Sequence, residues 1–379
     1  MPINRNIGGY ITANPVAPAG PFRSGAADGV WTLSQQLQYV SAGTWPIAGN
    51  AQQFIAVAHT TTPFVSAYPW SGSGFGAKIT NPATLPTGDG RGVAFTASGN
   101  AIAVAHTTSP FVTAYPWSGS GFGTKFANPA TLPASTGNGV AFTSSGNTIA
   151  VAHDITPFIS AYPWSGSGFG TRFTNPVTLP NGGAAVAFSP AGTEIAVAHS
   201  NSPNITAYPW SGSGFGTKFT NPATLPPTDG TGVAFTPSGS DIAVSALTSP
   251  FIRAYPWSFS GFGTAYANPA TAISGAGNSV AFTPSGNAIA VASNASPFVT
   301  AYPWSGSGFG TKFADPATLP PSFSRGVAFS PASDAIAVAH DSSPYISAYP
   351  WSGSGFGTKF ANPATLPAGN GRGVAFGAI

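Results

Sequence analysis

Five histidines, His59, His106, His153, His199 and His340, are all the imidazoles of the chain, and each ends an Ile-Ala-Val-Ala run of one type. A metal centre needs ligands within about 2 Å of a single ion, which side chains in separate copies of a repeat do not readily supply. A hydrogen bond at a turn or between neighbouring repeats is the simpler role for such a recurrent imidazole. Cations recur as well, at Lys78, Lys125, Arg172, Lys218, Lys312 and Lys359. They read either as a basic belt for an anionic partner or as lysines that protect a sheet edge from aggregation. The acids Asp89, Asp154, Glu194, Asp229, Asp241, Asp315, Asp334 and Asp341 are scattered without an evident pair, whereas glycoside hydrolysis needs two facing carboxylates. On this reading no residue is catalytic, no metal or cofactor is expected, and the protein is not an enzyme.

The elements that carry these residues follow from composition and period. The chain has 379 residues, of which 6% are charged against about 25% in an ordinary soluble domain. The net charge is +3 without a basic run, which argues against nucleic acid as a partner. With 48 Gly and 38 Pro the chain is heavily punctuated, yet 28 Phe, 11 Tyr and 9 Trp supply enough apolar area to offset the entropy of ordering. There is no cysteine, so disulfides and thiolate chemistry are excluded. The sequence shows no apolar run long enough to span a membrane and no apolar core of a signal peptide near Met1, so synthesis in a cytoplasm without export is expected.

The segment Ala-Tyr-Pro-Trp-Ser occurs seven times, with tryptophans at Trp70, Trp117, Trp164, Trp210, Trp257, Trp304 and Trp351, spaced by 46 or 47 residues. A period in the mid-forties with several strand-like pieces per copy predicts propeller blades, since Gly and Pro at these positions forbid amphipathic helices. In the copy beginning at Gly92, Val93-Ala94-Phe95 reads as a first strand, Ile102 to His106 as a second, Phe111 to Trp117 as a third, and a segment around Phe122 to Phe126 as a fourth. Pro116 predicts a bulge in the third strand, and Pro129 an early end to the fourth. The first copy starts at its second strand, Phe54 to His59, while a spare Val374-Ala375-Phe376 follows the last copy. A closed ring explains both. The expectation is therefore an all-β, seven-bladed β-propeller over residues 49–379, its first blade completed by the C-terminal strand (1+3 closure). At a fixed strand position the recurrent Trp is either core between blades or an exposed platform for stacking sugars.

The strand order and the position of Trp resemble the WD-repeat family of propellers, although Trp-Ser replaces Trp-Asp throughout, so the hydrogen-bond tetrad of that family is not implied. Variation among the seven copies concentrates in the fourth-to-first linkers and the second-to-third turns. In a propeller these share one face, which makes Asp89, Arg91, Asn138, Asp154, Asn201, Asp229, Arg325, Asp341 and Arg372 a candidate recognition face, with drift in permissive loops as the alternative.

Residues 1–48 share nothing with the repeat. Their start is Gly, Pro, Ala and Asn-rich and reads as an extended arm; Thr32 and Gln35 then form a capping box ahead of a short helix with Leu33, Leu37 and Val40 on one face. Gly8-Gly9-Tyr10-Ile11 and the run from Gly29 through Trp31, Leu33 and Trp45 to Pro46 resemble a short module of tailed-bacteriophage virion proteins. That resemblance implies a non-enzymatic virion structural protein, a tail appendage or adhesin or a head decoration. Residues Tyr10, Trp31, Leu33, Leu37, Val40 and Trp45 would attach it to other virion proteins, and the propeller would meet a host-surface glycan or further copies on the particle. The implied location is the virion, and the alternative is a free carbohydrate-binding propeller lectin.

Overall fold

The computed structural model describes residues 52–379. The arm, the short helix and the attachment residues Tyr10, Trp31, Leu33, Leu37, Val40 and Trp45 lie outside the described residues. Residues 52–379 form a seven-bladed β-propeller of seven four-stranded antiparallel sheets. Blade 1 comprises Gln53–His59, Val65–Ser71 and Gly74–Phe75, and its innermost strand is the last of the chain, Gly371–Ala378. Blades 2 to 7 follow at residues 90–122, 137–169, 183–215, 230–262, 277–309 and 324–356. Closure is antiparallel, with Ile55 opposite Phe376 and Val57 opposite Val374.

The core lies between blades. The second strand is buried along its whole length in blades 2 to 7, as in Ala101–His106, and from Phe54 onward in blade 1, so both of its faces must be covered. One cluster joins Ala103, Ala105 and Val112 of blade 2 to Val140, Ile149, Tyr162 and Trp164 of blade 3. The seven repeat tryptophans are 5–7% exposed. Trp164 meets Phe126 from the preceding blade and Phe142 and Phe169 of its own, all edge-on at 5.0–5.1 Å. These are favourable aromatic geometries, and they leave no face of the indole free to stack a sugar.

Each repeat tyrosine is fully buried and donates its hydroxyl to a main-chain carbonyl of the preceding blade: Tyr115 to Thr84 at 2.7 Å, Tyr162 to Thr131 at 2.8 Å, and Tyr68 across the closure to Thr365 at 2.8 Å. Tyr162→Phe keeps the packing and removes one part-buried hydrogen bond between blades. It is expected to lower stability by about 1 kcal/mol, read as a shift of the urea midpoint at unchanged slope.

Two strand details differ from expectation. The fourth strand is only two residues long, Gly121–Phe122 in blade 2. The chain beyond it carries Lys125, Asn128-Pro129 and Pro133 and touches the third strand through Gly123 N–H to the Pro116 carbonyl at 2.8 Å and Phe126 N–H to the Ala114 carbonyl at 3.0 Å. The recurrent cations therefore do not sit in a ladder. Lys78 and Lys125 donate to Asn81 and Asn128 at 2.6 and 2.5 Å, and Lys312 pairs with Asp315 at 2.5 Å. Lys218 and Lys359 likewise bond Asn221 and Asn362. The second difference concerns proline: Pro116 pairs in register with Ala101, without a bulge. The bulge falls in the first strand instead, where the ladder shifts between Gly90 and Gly92.

Candidate functional site

The first-strand bulge recurs in all of blades 2 to 7 and in the closing strand of blade 1, always at the residue after a Gly or Ser that faces the end of the second strand. An extra residue in one strand bends it and re-aims its side chain. The space is tight. A Cβ at Gly371 would come within 2.3 Å of the Tyr345 carbonyl, so glycine lets the chain pass there. The residues that follow, Arg91, Asn138, Ala184, Thr231, Asn278, Arg325 and Arg372, line one cavity of about 290 Å³ at the mouth of the central channel. Below them a second cavity of about 210 Å³ continues between the first strands, past Val93, Val140, Val186, Val233, Val280 and Val374.

The ring is chemically lopsided. On one arc the side chains are stitched to the next blade: Asn138 donates to the Gly183 carbonyl at 2.9 Å, Thr231 to Gly277 at 2.5 Å and Asn278 to Ser324 at 2.8 Å. The other arc is three consecutive arginines, from blade 7, the closing strand and blade 2. Asp341, on the second-to-third turn of blade 7, is the carboxylate that Arg325 and Arg372 share. It accepts from Arg325 Nε at 3.0 Å and Nη2 at 2.7 Å, and stands 3.5 Å from Nη1 of Arg372. Burial pushes the Arg372 guanidinium below the ordinary arginine value, Asp341 opposes that shift, and the charges of Arg325 and Arg91 reinforce it. Three guanidiniums with one bound carboxylate leave an excess of positive charge at a partly buried mouth, which is the electrostatic setting for an anion.

Four of the sequence candidates, Arg91, Asn138, Arg325 and Arg372, thus meet at one mouth, with Asp341 holding two of them. Asp154 takes a hydrogen bond from Asn138 at 2.5 Å on the same face, and Asp229 caps the amide of Asn201 at 3.2 Å further out. Asp89 also contributes to the field at Arg372. Thr231 and Asn278 complete the ring and were not singled out by the sequence reading. The signal for them is the Gly-x-Gly or Gly-x-Ser before Val-Ala-Phe, which marks a bulge once the first strand is placed around a channel.

The five histidines lie at the opposite edge of each first-strand bulge and do not reach the mouth; all are fully buried. Nε2 of each bonds a hydroxyl on the third strand of its own blade, at 2.9 Å for His59–Ser66 and 2.8 Å for His106–Thr113. The others pair as His153–Ser160, His199–Thr206 and His340–Ser347. His199 and His340 donate Nδ1–H to the carbonyls of Ser200 and Ser342, so their Nε2 accepts. Burial lowers four of them, His59, His106, His153 and His340, to about 4 and also lowers His199, so the imidazoles are neutral at physiological pH.

No family model and no curated protein matches the sequence. The fold is shared with solved bacterial propellers. A candidate 6-phosphogluconolactonase of Bacteroides fragilis is 12% identical with a TM-score of 0.69, over 86% of this chain and 98% of its own. The periplasmic gluconolactonase of Pseudomonas aeruginosa is 15% identical with a TM-score of 0.66, over 86% of this chain and 99% of its own. A functionally unknown protein of Desulfotomaculum acetoxidans aligns with the same identity, TM-score and coverage. At such identities the likeness shows the fold.

These comparisons correct the functional expectations. The expectation of a virion structural protein, tail appendage or head decoration, and that of a protein without enzymatic activity, are contradicted by fold neighbours whose names are those of sugar-lactone enzymes. The resemblance to the WD-repeat family extends only as far as the shared propeller architecture. The physical reason is where each signal lay: the virion motif sits wholly within residues 1–48, and the search for paired acids passed over arginines that only the ring brings together.

Proposed function

We propose that the protein is a hydrolase of sugar lactones that carry negative charge, acting at the arginine arc of the channel mouth. The observation that carries this reading is the convergence of Arg91, Arg325 and Arg372 on one cavity, with Asp341 pairing the latter two. The names of the fold neighbours supply the substrate class to be tried.

Lactone hydrolysis adds water to the ring carbonyl, breaks the ring C–O bond and leaves a carboxylic acid and a hydroxyl. Charge develops on the carbonyl oxygen, and guanidinium N–H groups fixed at the mouth are suited to hold it. The Asp341 carboxylate pairs with Arg325 and Arg372 and so fixes two of these guanidiniums at the mouth. The polar arc of Asn138, Thr231 and Asn278 offers partners to sugar hydroxyls, and a phosphate on the sugar adds charge that the arginines favour.

Glucono-δ-lactone and its phosphate ester are expected to open faster with the protein than without it, the phosphorylated lactone being preferred, as followed by acid release. Arg325→Ala and Arg372→Ala are each expected to lower kcat/KM for the phosphorylated lactone by about tenfold or more, since a charge-assisted hydrogen bond is lost. A rate equal to the spontaneous rate for both lactones would sink the proposal.

A further inference from the structure

At the far end of the strands from the mouth, two neighbouring blades depart from the repeat in the same place. The residue before the Ile-Ala-Val of the second strand is Glu194 in blade 4 and Asp241 in blade 5, where the other blades have Phe54, Ala101, Thr148, Ala288 and Ala335. Both acids are buried, at 5% and 4% exposure. Their surroundings differ. Asp241 accepts from the Tyr266 hydroxyl at 2.5 Å, the Ser240 hydroxyl at 2.7 Å and the indole N–H of Trp304 at 3.4 Å. It is saturated by its own protein.

Glu194 occupies the equivalent site one blade earlier and accepts, from side chains, only the Thr193 hydroxyl at 2.9 Å. The residue matching Tyr266 is Phe219, which has no hydroxyl to donate. The indole matching Trp304 is Trp257, which is 7% exposed and whose N–H has no partner. No cation among the described residues forms an ion pair with Glu194. A buried carboxylate with so few donors is costly unless something supplies the missing charge.

The surroundings of Glu194 have room for such a group. A pocket of about 330 Å³ is lined by Glu194, Thr193, Ser240, Trp257 and Phe259. Phe259 is itself an exception: it replaces the glycine found at 72, 119, 166, 212, 306 and 353, and it is 87% exposed. A large aromatic ring held in solvent beside an unneutralised carboxylate is the arrangement that recognises an organic cation, the carboxylate pairing its charge and the ring face attracting it. We infer that the pocket between blades 4 and 5 is a binding site for a protonated alkylamine, such as a lysine side chain or a polyamine end, with Glu194 as counter-ion and Phe259 as aromatic wall.

This inference is independent of the lactonase proposal, because the pocket shares no residue with the mouth. The test is titration of the full chain at pH 7 with n-butylammonium chloride, followed by tryptophan fluorescence and by NMR line-broadening of the amine. Saturable binding is expected, weakened at least tenfold by Glu194→Gln and about threefold by Phe259→Gly. The second variant restores the residue of the other six blades and so keeps the fold. Absence of saturable binding, equal binding by Glu194→Gln, or equal occupancy by the neutral n-pentanol or by methyl glucoside would overturn it.

Discussion

A chain ending at Arg372 is expected to melt on the order of 10 °C or more below the full-length protein. The deleted residues 373–379 carry Val374 and Phe376, which belong to the cluster between blades 7 and 1, with Phe376 edge-on to Trp70 at 5.2 Å. Both side chains are partly buried, so their removal costs less than the about 2–5 kcal/mol of a fully buried large-to-small change each, and together still on the order of a few kcal/mol. The ladder with Gln53–His59 goes with them, so a strand buried from Phe54 to His59 becomes an open edge. Thermal unfolding followed by circular dichroism measures the shift directly. A melting temperature equal to that of the full chain would mean that the C-terminal strand does not close the ring.

Acid should weaken the protein well before ordinary carboxylates titrate. The five buried histidines are depressed when folded, four of them to about 4, against 6.5 in an unfolded chain. Their stabilising contribution is therefore complete above pH 6.5 and is lost as pH falls from 6.5 towards 4, because the unfolded chain takes up protons that the folded one refuses. At pH 5 each of the four is expected to have cost about 2 kcal/mol relative to pH 7. The urea midpoint should fall steeply over this window. Alanine and serine already stand at the equivalent places, Ala246 and Ser293, so His153→Ala is expected to fold and to show a shallower pH dependence. A midpoint unchanged between pH 7 and pH 5 would show that the imidazoles are not held neutral.

The parts of the fold legible in the sequence are those written in repeated residues. The Trp spacing gave the blade count, and the missing first strand ahead of Phe54 together with the spare Val374-Ala375-Phe376 gave the closure. Local strand geometry was less legible. Pro116 looked like a bulge because proline cannot donate in a ladder, yet it pairs in register with Ala101 and its carbonyl takes the N–H of Gly123 at 2.8 Å. The fourth strand looked longer than it is, because the apolar residue at its end, Phe126, turns in to pack on Trp164 of the next blade rather than to extend a ladder.

The site was legible as a set of residues but not as an arrangement. Arg91, Arg325 and Arg372 each precede Gly-Val-Ala-Phe, and sequence comparison among the copies found them variable. Only ring closure makes the last of them the neighbour of the first. The acid-based search for catalysis could not find this, since the chemistry proposed here rests on guanidiniums and one shared carboxylate. Glu194 and Asp241 were likewise visible as single acids, while the contrast between a saturated site and an open one depends on Tyr266, Phe219 and two indoles contributed by adjacent blades.

The tyrosine-to-carbonyl bond between blades has a further consequence for how the polypeptide can be threaded. The joint is the same chemically at every seam, including the one between Tyr68 and Thr365 where no peptide bond runs. The blades are thus held by a cycle of equivalent joints that does not depend on where the covalent chain is cut. A circular permutant opened at another fourth-to-first linker, with residues 373–379 joined by a short loop to residue 52, should rebuild the same disc. The three arginines would stay neighbours in it even though their order along the chain had changed.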